Sequence, residues 1–127
     1  VSMSLTPRIL IIDDERYVLR LFRTILERAG YSVLTADDGD LGIRTYAEAK
    51  PDLVLLDIAM PGLDGVEVLE RIRQLDADRT TPIMIISAHS QSSLREVAEK
   101  FQVDAYMEKP ITSQELLNAI KDILAMH

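Results

Sequence analysis

The 127-residue sequence contains no cysteine, so neither a disulfide bond nor a thiolate metal site is available to it. The lack of disulfides favours an intracellular, cytoplasmic location. No apolar stretch approaches the roughly 18 residues that a membrane-spanning helix needs, and the first residues do not form a signal-peptide pattern. We therefore expect no association with a membrane.

Positive charge is also scarce, because 14 Lys and Arg residues face 21 Asp and Glu residues, which gives a net charge of -7. Nucleic acid backbones are bound through clusters of Lys and Arg, so we expect no direct nucleic acid binding by this segment. A chain of this length with 47% apolar residues buries roughly two-thirds of the surface exposed by its unfolded form, which is enough for one core. We expect an amino-terminal tail over residues 1–7, native or a cloning remnant, and one domain over residues 8–127.

Four short apolar runs each lead into a residue that phosphoryl chemistry can use. They are residues 9–12 followed by Asp13 and Asp14, 53–56 followed by Asp57, 83–86 followed by Ser87, and 105–108 followed by Lys109. Runs of this kind are typical of strands buried on both faces of a parallel sheet. Open parallel sheets bind ligands beyond the carboxyl ends of their strands. Three carboxylates, a hydroxyl and an ammonium are therefore expected to converge on one crevice.

Segments with helical periodicity separate these runs. The pattern predicts helices around residues 18–29, 41–49, 64–75, 94–101 and 113–124, and one further strand over Ser32–Ala36. Gly30 is expected to end the first helix, Asp64 to cap the third, and residues 112–115 to form a capping box before the fifth. Five alternations of strand and helix predict an α/β fold, with a parallel sheet, right-handed crossovers and helices on both faces.

Several smaller motifs accompany the reactive residues at the same strand ends. They are Met60-Pro61-Gly62 and Asp64-Gly65 after the third run, Ala88 after Ser87, Tyr106 within the last run and Pro110 after Lys109. In this order the motifs resemble the receiver domain of two-component response regulators, of the chemotaxis-regulator type, over residues 8–125. The resemblance implies a flavodoxin-like, doubly wound sheet of five parallel strands in the order 2-1-3-4-5, flanked by five helices.

The resemblance also implies a phosphorylation-activated switch. Asp57 would accept a phosphoryl group from the phosphohistidine of a sensor histidine kinase or a histidine phosphotransfer protein. Mg²⁺ would be bound directly by Asp14, Asp57 and the backbone carbonyl of Ala59. Asp13 would act on the ion through water. The electrostatics agree, because two carboxylates about 5 Å apart repel by roughly 3 kcal/mol at an effective dielectric constant near 20, and a hard cation with oxygen ligands relieves that repulsion.

The other residues act, by the same resemblance, once the acceptor is phosphorylated. Lys109 and Ser87 would meet the phosphoryl oxygens, and Tyr106 would fill the space that Ser87 leaves, which changes the surface made by helix 4, strand 5 and helix 5. That surface would serve an output domain, a target protein or a homodimer, and the sequence identifies none of these. Ala59 and His89 occupy positions that influence how long the acyl phosphate survives. A cis bond between Lys109 and Pro110 would direct the lysine inward.

Such a domain catalyses its own phosphorylation and dephosphorylation and is not otherwise an enzyme. Other interpretations stay open for single residues: Asp13 and Asp14 as a solvated capping turn, Tyr106 as a strand aromatic, His89 as an exposed loop residue. Glu15 is interpreted as a first-turn helix acid that the helix dipole favours.

Three other classes of protein are alternatives to the switch. A docking module that works without phosphorylation would keep the same fold. A haloacid-dehalogenase-like phosphatase would need an Asp-x-Asp motif after the first strand, where this chain has Asp13-Asp14-Glu15. A flavodoxin-like cofactor carrier would need a small polar phosphate-binding loop at that place, whereas three acids repel phosphate.

Overall fold

The computed structural model describes residues 6–58, 65–76, 80–88 and 92–127, with the backbone alone for residues 92–94. The strands are β1 (Arg8–Ile12), β2 (Ser32–Ala36), β3 (Leu53–Asp57), β4 (Ile83–Ser87) and β5 (Ala105–Glu108). The helices are α1 (Arg16–Arg28), α2 (Gly39–Ala49), α3 (Gly65–Leu75), α4 (Ser92–Lys100) and α5 (Ser113–Ala125). Within these ranges, no helix has both the length and the apolarity that a bilayer crossing requires.

The five strands form one parallel sheet in the order β2-β1-β3-β4-β5, which confirms the predicted topology. The direction of winding reverses beside β1, whose neighbours are β2 and β3. The register aligns Ile12 with Leu56 and Asp57 with Ile86. The residues that follow β1, β3 and β4 therefore emerge at the same edge of the sheet, beside the point where a doubly wound sheet opens a crevice.

Each face of the sheet carries its own apolar core. Side chains alternate across a strand, so Leu10 and Ile12 of β1 face one core while Ile9 and Ile11 face the other. α2 and α3 close the first core together with the end of α4, and α1 and α5 close the second. β3 and β4 are buried at every position, which explains their continuous apolar sequence.

Local signals explain three of the helix ends. The capping box before α5 is present, with Thr112 Oγ1 accepting from the Glu115 backbone at 3.1 Å and Glu115 Oε1 accepting from the Thr112 backbone at 2.9 Å. Gly30 has φ 100° just after α1, a conformation that costs glycine little. α2 begins two residues earlier than the pattern indicated, because the Asp38 side chain accepts a hydrogen bond from Leu41 N at 2.7 Å and caps it.

Candidate functional site

Three carboxylates meet at the carboxyl edge of the sheet. Asp13 and Asp14 follow β1, Asp57 ends β3, and each offers one oxygen within 4.8 Å of the others. Asp13 is 2% exposed and Asp57 is 6% exposed, so two of the three charges are removed from bulk water. The sequence predicted this convergence from strand ends alone.

The Lys109 ammonium lies against this cluster. Its Nζ is 2.9 Å from Asp13 Oδ2 and 3.4 Å from Asp57 Oδ2. It is also 3.4 Å from Glu15 Oε1. The peptide bond between Lys109 and Pro110 is cis, as the resemblance implied. One cation therefore contacts three carboxylates, and with Asp14 the described residues of the crevice include four acids and one ammonium.

The crowding of charges in the crevice affects the pKa values of Asp13 and Lys109. Burial raises the pKa of Asp13 and the neighbouring Asp57 charge raises it further, against the lowering effect of hydrogen bonds from the Glu15 backbone and Lys109. Burial by itself would lower the pKa of Lys109, but the hydrogen bond with Asp13 and the charges of Asp13, Asp57 and Glu15 together raise it. Lys109 thus stays protonated at neutral pH, while the buried Asp13 bears an energetic cost for its charge.

The donor set fits a divalent metal ion of the oxygen-seeking kind. Carboxylates of Asp13, Asp14 and Asp57 are hard ligands, and their excess negative charge over Lys109 is what such an ion offsets. Mg²⁺ is the natural match, because it prefers oxygen and binds through a few carboxylates while keeping several waters. The further predicted ligand, the carbonyl of Ala59, lies outside the described residues.

Ser87 and Tyr106 occupy opposite environments. Ser87 ends β4, is 1% exposed, and its backbone carbonyl accepts a hydrogen bond from Lys109 N at 2.7 Å. Tyr106 lies in β5 opposite Ile85, is 40% exposed, and borders a groove between α4 and β5. Ser87 is therefore joined to the loop that carries Lys109, and Tyr106 is partly exposed in the groove between α4 and β5.

An apolar depression opens beside Lys109. It is lined mainly by one face of α1 and by the segment after β5: Tyr17, Val18, Leu21, Phe22, Pro110 and Ile111. Tyr17 is 67% exposed and Leu21 is 42% exposed, so two large side chains beside the charged site keep apolar surface in contact with solvent. The sequence analysis did not identify this patch, although Tyr17 and Leu21 are four residues apart on the solvent-facing side of α1.

Glu15 was also missed as a member of the site. It is the N-cap residue of α1, but its side chain makes no capping hydrogen bond and reaches Lys109 instead. The signal that could have found it is the third consecutive acid after β1.

The motif glycine Gly65 starts α3 against the backbone of Ile58, where a Cβ atom would collide with the Ile58 carbonyl. This close approach accounts for a glycine directly after the predicted cap. His89, residues 60–62 and Asp64 lie, like Ala59, outside the part of the chain that the structure describes, so their predicted roles stay predictions.

Comparison with known proteins agrees with this geometry. A model of the family described as the response regulator receiver domain matches residues 9–121. The chain is 35% identical over 120 residues to the alkaline phosphatase synthesis transcriptional regulatory protein PhoP of Bacillus subtilis (strain 168), which covers 94% of this chain and 49% of that protein. It is 38% identical over 117 residues to the transcriptional regulatory protein ResD of the same organism, with 92% and 48% covered.

Comparison with solved structures shows the same fold. A response regulator receiver domain protein (CheY-like) from Methanospirillum hungatei JF-1 superposes with a TM-score of 0.90 at 29% sequence identity, over 96% of each chain. The chain spans about half the length of the curated relatives named above.

Proposed function

Because this chain belongs to the response regulator receiver domain family, we propose that it is a switch activated by phosphorylation of Asp57. The observation that carries the proposal is the placement of Asp57. Its nearly buried carboxylate lies within 4.8 Å of two further carboxylates and 3.4 Å from the one ammonium found in the described crevice. A nucleophile, a set of metal ligands and a fixed positive charge thus surround one point.

Phosphoryl transfer requires mainly alignment and charge stabilisation. An Asp57 oxygen attacks phosphorus as the bond from phosphorus to the imidazole nitrogen of a partner phosphohistidine breaks. The electron pair of that bond stays on the nitrogen, and because the other ring nitrogen carries a proton, the histidine leaves as a neutral imidazole. Lys109 donates to the transferred oxygens, with the Ser87 hydroxyl as a second donor at the end of β4. Mg²⁺ held by Asp13, Asp14, Asp57 and the Ala59 carbonyl would neutralise charge on the phosphoryl oxygens.

The donor reaches the site across the apolar depression on α1. Lys109 itself lines that depression, so a partner surface seated on Tyr17, Leu21 and Ile111 places its histidine next to the crevice. We take the occupant to be the phosphohistidine-bearing part of a sensor histidine kinase or histidine phosphotransfer protein. Exposed apolar side chains around a reactive centre are what a transient protein interface needs.

A partner recognises the phosphorylated state at the surface formed by α4, β5 and α5. Once phosphorylated, Asp57 draws Lys109 and Ser87 toward its new oxygens, and Tyr106, now 40% exposed beside the groove between α4 and β5, moves inward. The surface of α4, β5 and α5 then differs between the two states, which is a population shift between two packings. An output domain, a target protein or a second copy of the chain would bind that surface. The names of PhoP and ResD suggest an output in transcription.

This activity is that of a signalling domain rather than a metabolic enzyme. The catalysis we propose is confined to the domain's own phosphorylation and to slow hydrolysis of its aspartyl phosphate. Ala59 and His89 are proposed to set the hydrolysis rate.

The test is labelling with acetyl phosphate and Mg²⁺, followed by intact mass. We expect the mass of one added phosphoryl group on the parent chain and none on Asp57→Asn, which removes the nucleophile but keeps the side-chain volume. Normal labelling of Asp57→Asn would overturn the assignment. An unlabelled parent that releases no phosphate would favour the docking module, and rapid release of phosphate from many equivalents of donor without accumulation of labelled protein would favour the phosphatase.

A further inference from the structure

Glu15 holds an unusual position for an acid at a helix start. N-cap side chains normally accept a hydrogen bond from the first turn, yet Glu15 makes none and its carboxylate lies 3.4 Å from Lys109 Nζ. It is also the most exposed partner of Lys109, with 59% of its side chain in contact with solvent against 3% for Asp13 and 7% for Asp57. The Glu15 side chain therefore contacts Lys109 and does not cap its own helix.

The Lys109 ammonium has three N–H donors, and three carboxylates lie around it. To meet the phosphoryl group of an incoming donor while Asp57 is still a carboxylate, it has to give up one of them. Asp57 is the acceptor of that group, so the contact that is given up is the one with Asp13 or the one with Glu15. Releasing Asp13 would leave a buried charge without its cation, which is costly. Releasing Glu15 costs little, because water solvates a carboxylate that is already more than half exposed.

We propose that Glu15 is a positioning residue that holds Lys109 at rest and is displaced when a phosphoryl group arrives, so that it restrains phosphorylation of Asp57. The inference rests on the proposed function and adds a regulator to the same site. Glu15 acts in two ways, since it competes for the ammonium and places a fourth negative charge in the path of an anionic donor.

Among the described residues, the positive charge in the crevice does not offset this fourth acid. Lys109 is the one cation in contact with the cluster among the described residues, and Asp13, Asp14 and Asp57 already exceed it. Neutralising Glu15 should speed reaction with a dianionic donor by roughly threefold to tenfold at low ionic strength, as expected for one charge at a few ångströms in a partly solvated site. The gain should appear in the apparent affinity for the donor and shrink in about 1 M salt.

The experiment compares Glu15→Gln with the parent and with Glu48→Gln. Glu48 is an exposed acid near the end of α2, at the opposite edge of the sheet, so its replacement makes the same change in net charge far from the crevice. Labelling rates are measured with Mg²⁺ over a range of acetyl phosphate concentrations, at low and at high salt. Because Glu15 makes no capping hydrogen bond, Glu15→Gln should melt within a degree or two of the parent.

A second measurement does not depend on covalent labelling. Beryllofluoride with Mg²⁺, titrated by calorimetry, should bind Glu15→Gln severalfold more tightly than the parent, and Glu48→Gln like the parent. A faster and tighter Glu15→Gln with an unchanged control supports the inference.

Parental labelling rates and beryllofluoride affinity in Glu15→Gln would overturn the inference, and so would an equal gain in Glu48→Gln, which would show a general charge effect. Both results leave the proposed function intact, because the parent is still labelled. A parent that neither labels nor binds beryllofluoride would overturn the proposed function, and the inference with it.

Discussion

One half-buried cation, Lys109, and one buried cation, Arg73, lie at opposite edges of the same sheet, and the groups that they contact differ in kind. Lys109, at the carboxyl edge, contacts three carboxylates. Arg73, at the end of α3 and the amino edge, donates mainly to fixed backbone carbonyls. Its acceptors are Phe101 O at 2.9 Å, Thr81 O at 2.8 Å, Gln102 O at 3.1 Å and Asp76 Oδ2 at 3.1 Å.

The difference separates a structural ion pair from a reactive site. The Arg73 group is charge-balanced by Asp76, both residues are less than a tenth exposed, and the guanidinium joins α3 to the end of α4 and to the start of β4. The Lys109 group holds an excess of negative charge in side chains that can change partners. The buried charges of Arg73 and Asp76 offset each other, whereas the excess negative charge around Lys109 is what a divalent cation would offset in the function that we propose.

The largest effect we predict comes from breaking the balanced pair. Arg73→Met leaves the Asp76 charge buried without its cation, so it should lower the free energy of unfolding by about 3–5 kcal/mol. Labelling of Asp57 per folded molecule should stay near the parental value, since the sheet separates the two sites. Urea denaturation and acetyl phosphate labelling below the melting range measure the two quantities.

Two further variants control that result. Arg71→Met changes an exposed arginine of the same helix and should cost little. Adding Asp76→Asn to Arg73→Met should recover part of the loss, because the buried charge is gone while an oxygen remains for the Thr81 backbone, which now donates to Asp76 at 2.8 Å. If Arg73→Met is as stable as Arg71→Met, the ion pair does not stabilise the fold.

At the site around Lys109, where negative charge is in excess, removal of a charged side chain should raise the stability of the metal-free protein. Asp14→Ala removes one of the repelling carboxylates, so the metal-free protein should gain about 1 kcal/mol, which is several degrees in melting temperature for a domain of this size. Mg²⁺ affinity should fall by at least roughly tenfold to a hundredfold, and labelling should nearly stop. Scanning calorimetry without metal and Mg²⁺ titration test both directions, and an unchanged Mg²⁺ affinity would show that Asp14 is not a ligand.

The sequence predicted the cluster of side chains at the carboxyl edge of the sheet but not the contacts at the amino edge. The meeting of Asp13, Asp57 and Lys109 followed from apolar runs, because strand ends of a parallel sheet share one edge whatever the side chains do. The order of the strands followed from the family resemblance. The Arg73 network was not predicted. Its backbone acceptors lie after α4 and before β4, and only the tertiary packing brings them within reach. The spacing of Arg73 and Asp76 was the one local signal.

The sequence also did not predict the direction in which individual side chains point. Glu15 was expected to interact with its own helix end, and the sequence does not say that the carboxylate turns toward a residue 94 positions away. The early start of α2 was missed because Gly39 and Gly42 are poor helix formers, and the pattern alone underrated the Asp38 cap.

The smallest predicted effect compares one exposed leucine at each edge. Leu21 lies on α1 in the apolar depression beside Lys109 and is 42% exposed, and Leu75 ends α3 near the Arg73 pair and is 52% exposed. Leu21→Ala should slow transfer from a phosphohistidine protein by roughly fivefold, or about 1 kcal/mol, because part of the partner's contact is lost. Leu75→Ala should transfer like the parent.

Acetyl phosphate separates docking from chemistry in the same two variants, since a small donor needs no protein surface. Both should be labelled by acetyl phosphate at the parental rate. If Leu21→Ala slows labelling by the small donor as much as transfer from the protein, the leucine acts by supporting the crevice through α1. If it slows neither, the partner approaches Lys109 from another side, and the apolar patch does not distinguish the reactive edge of the sheet from the structural one.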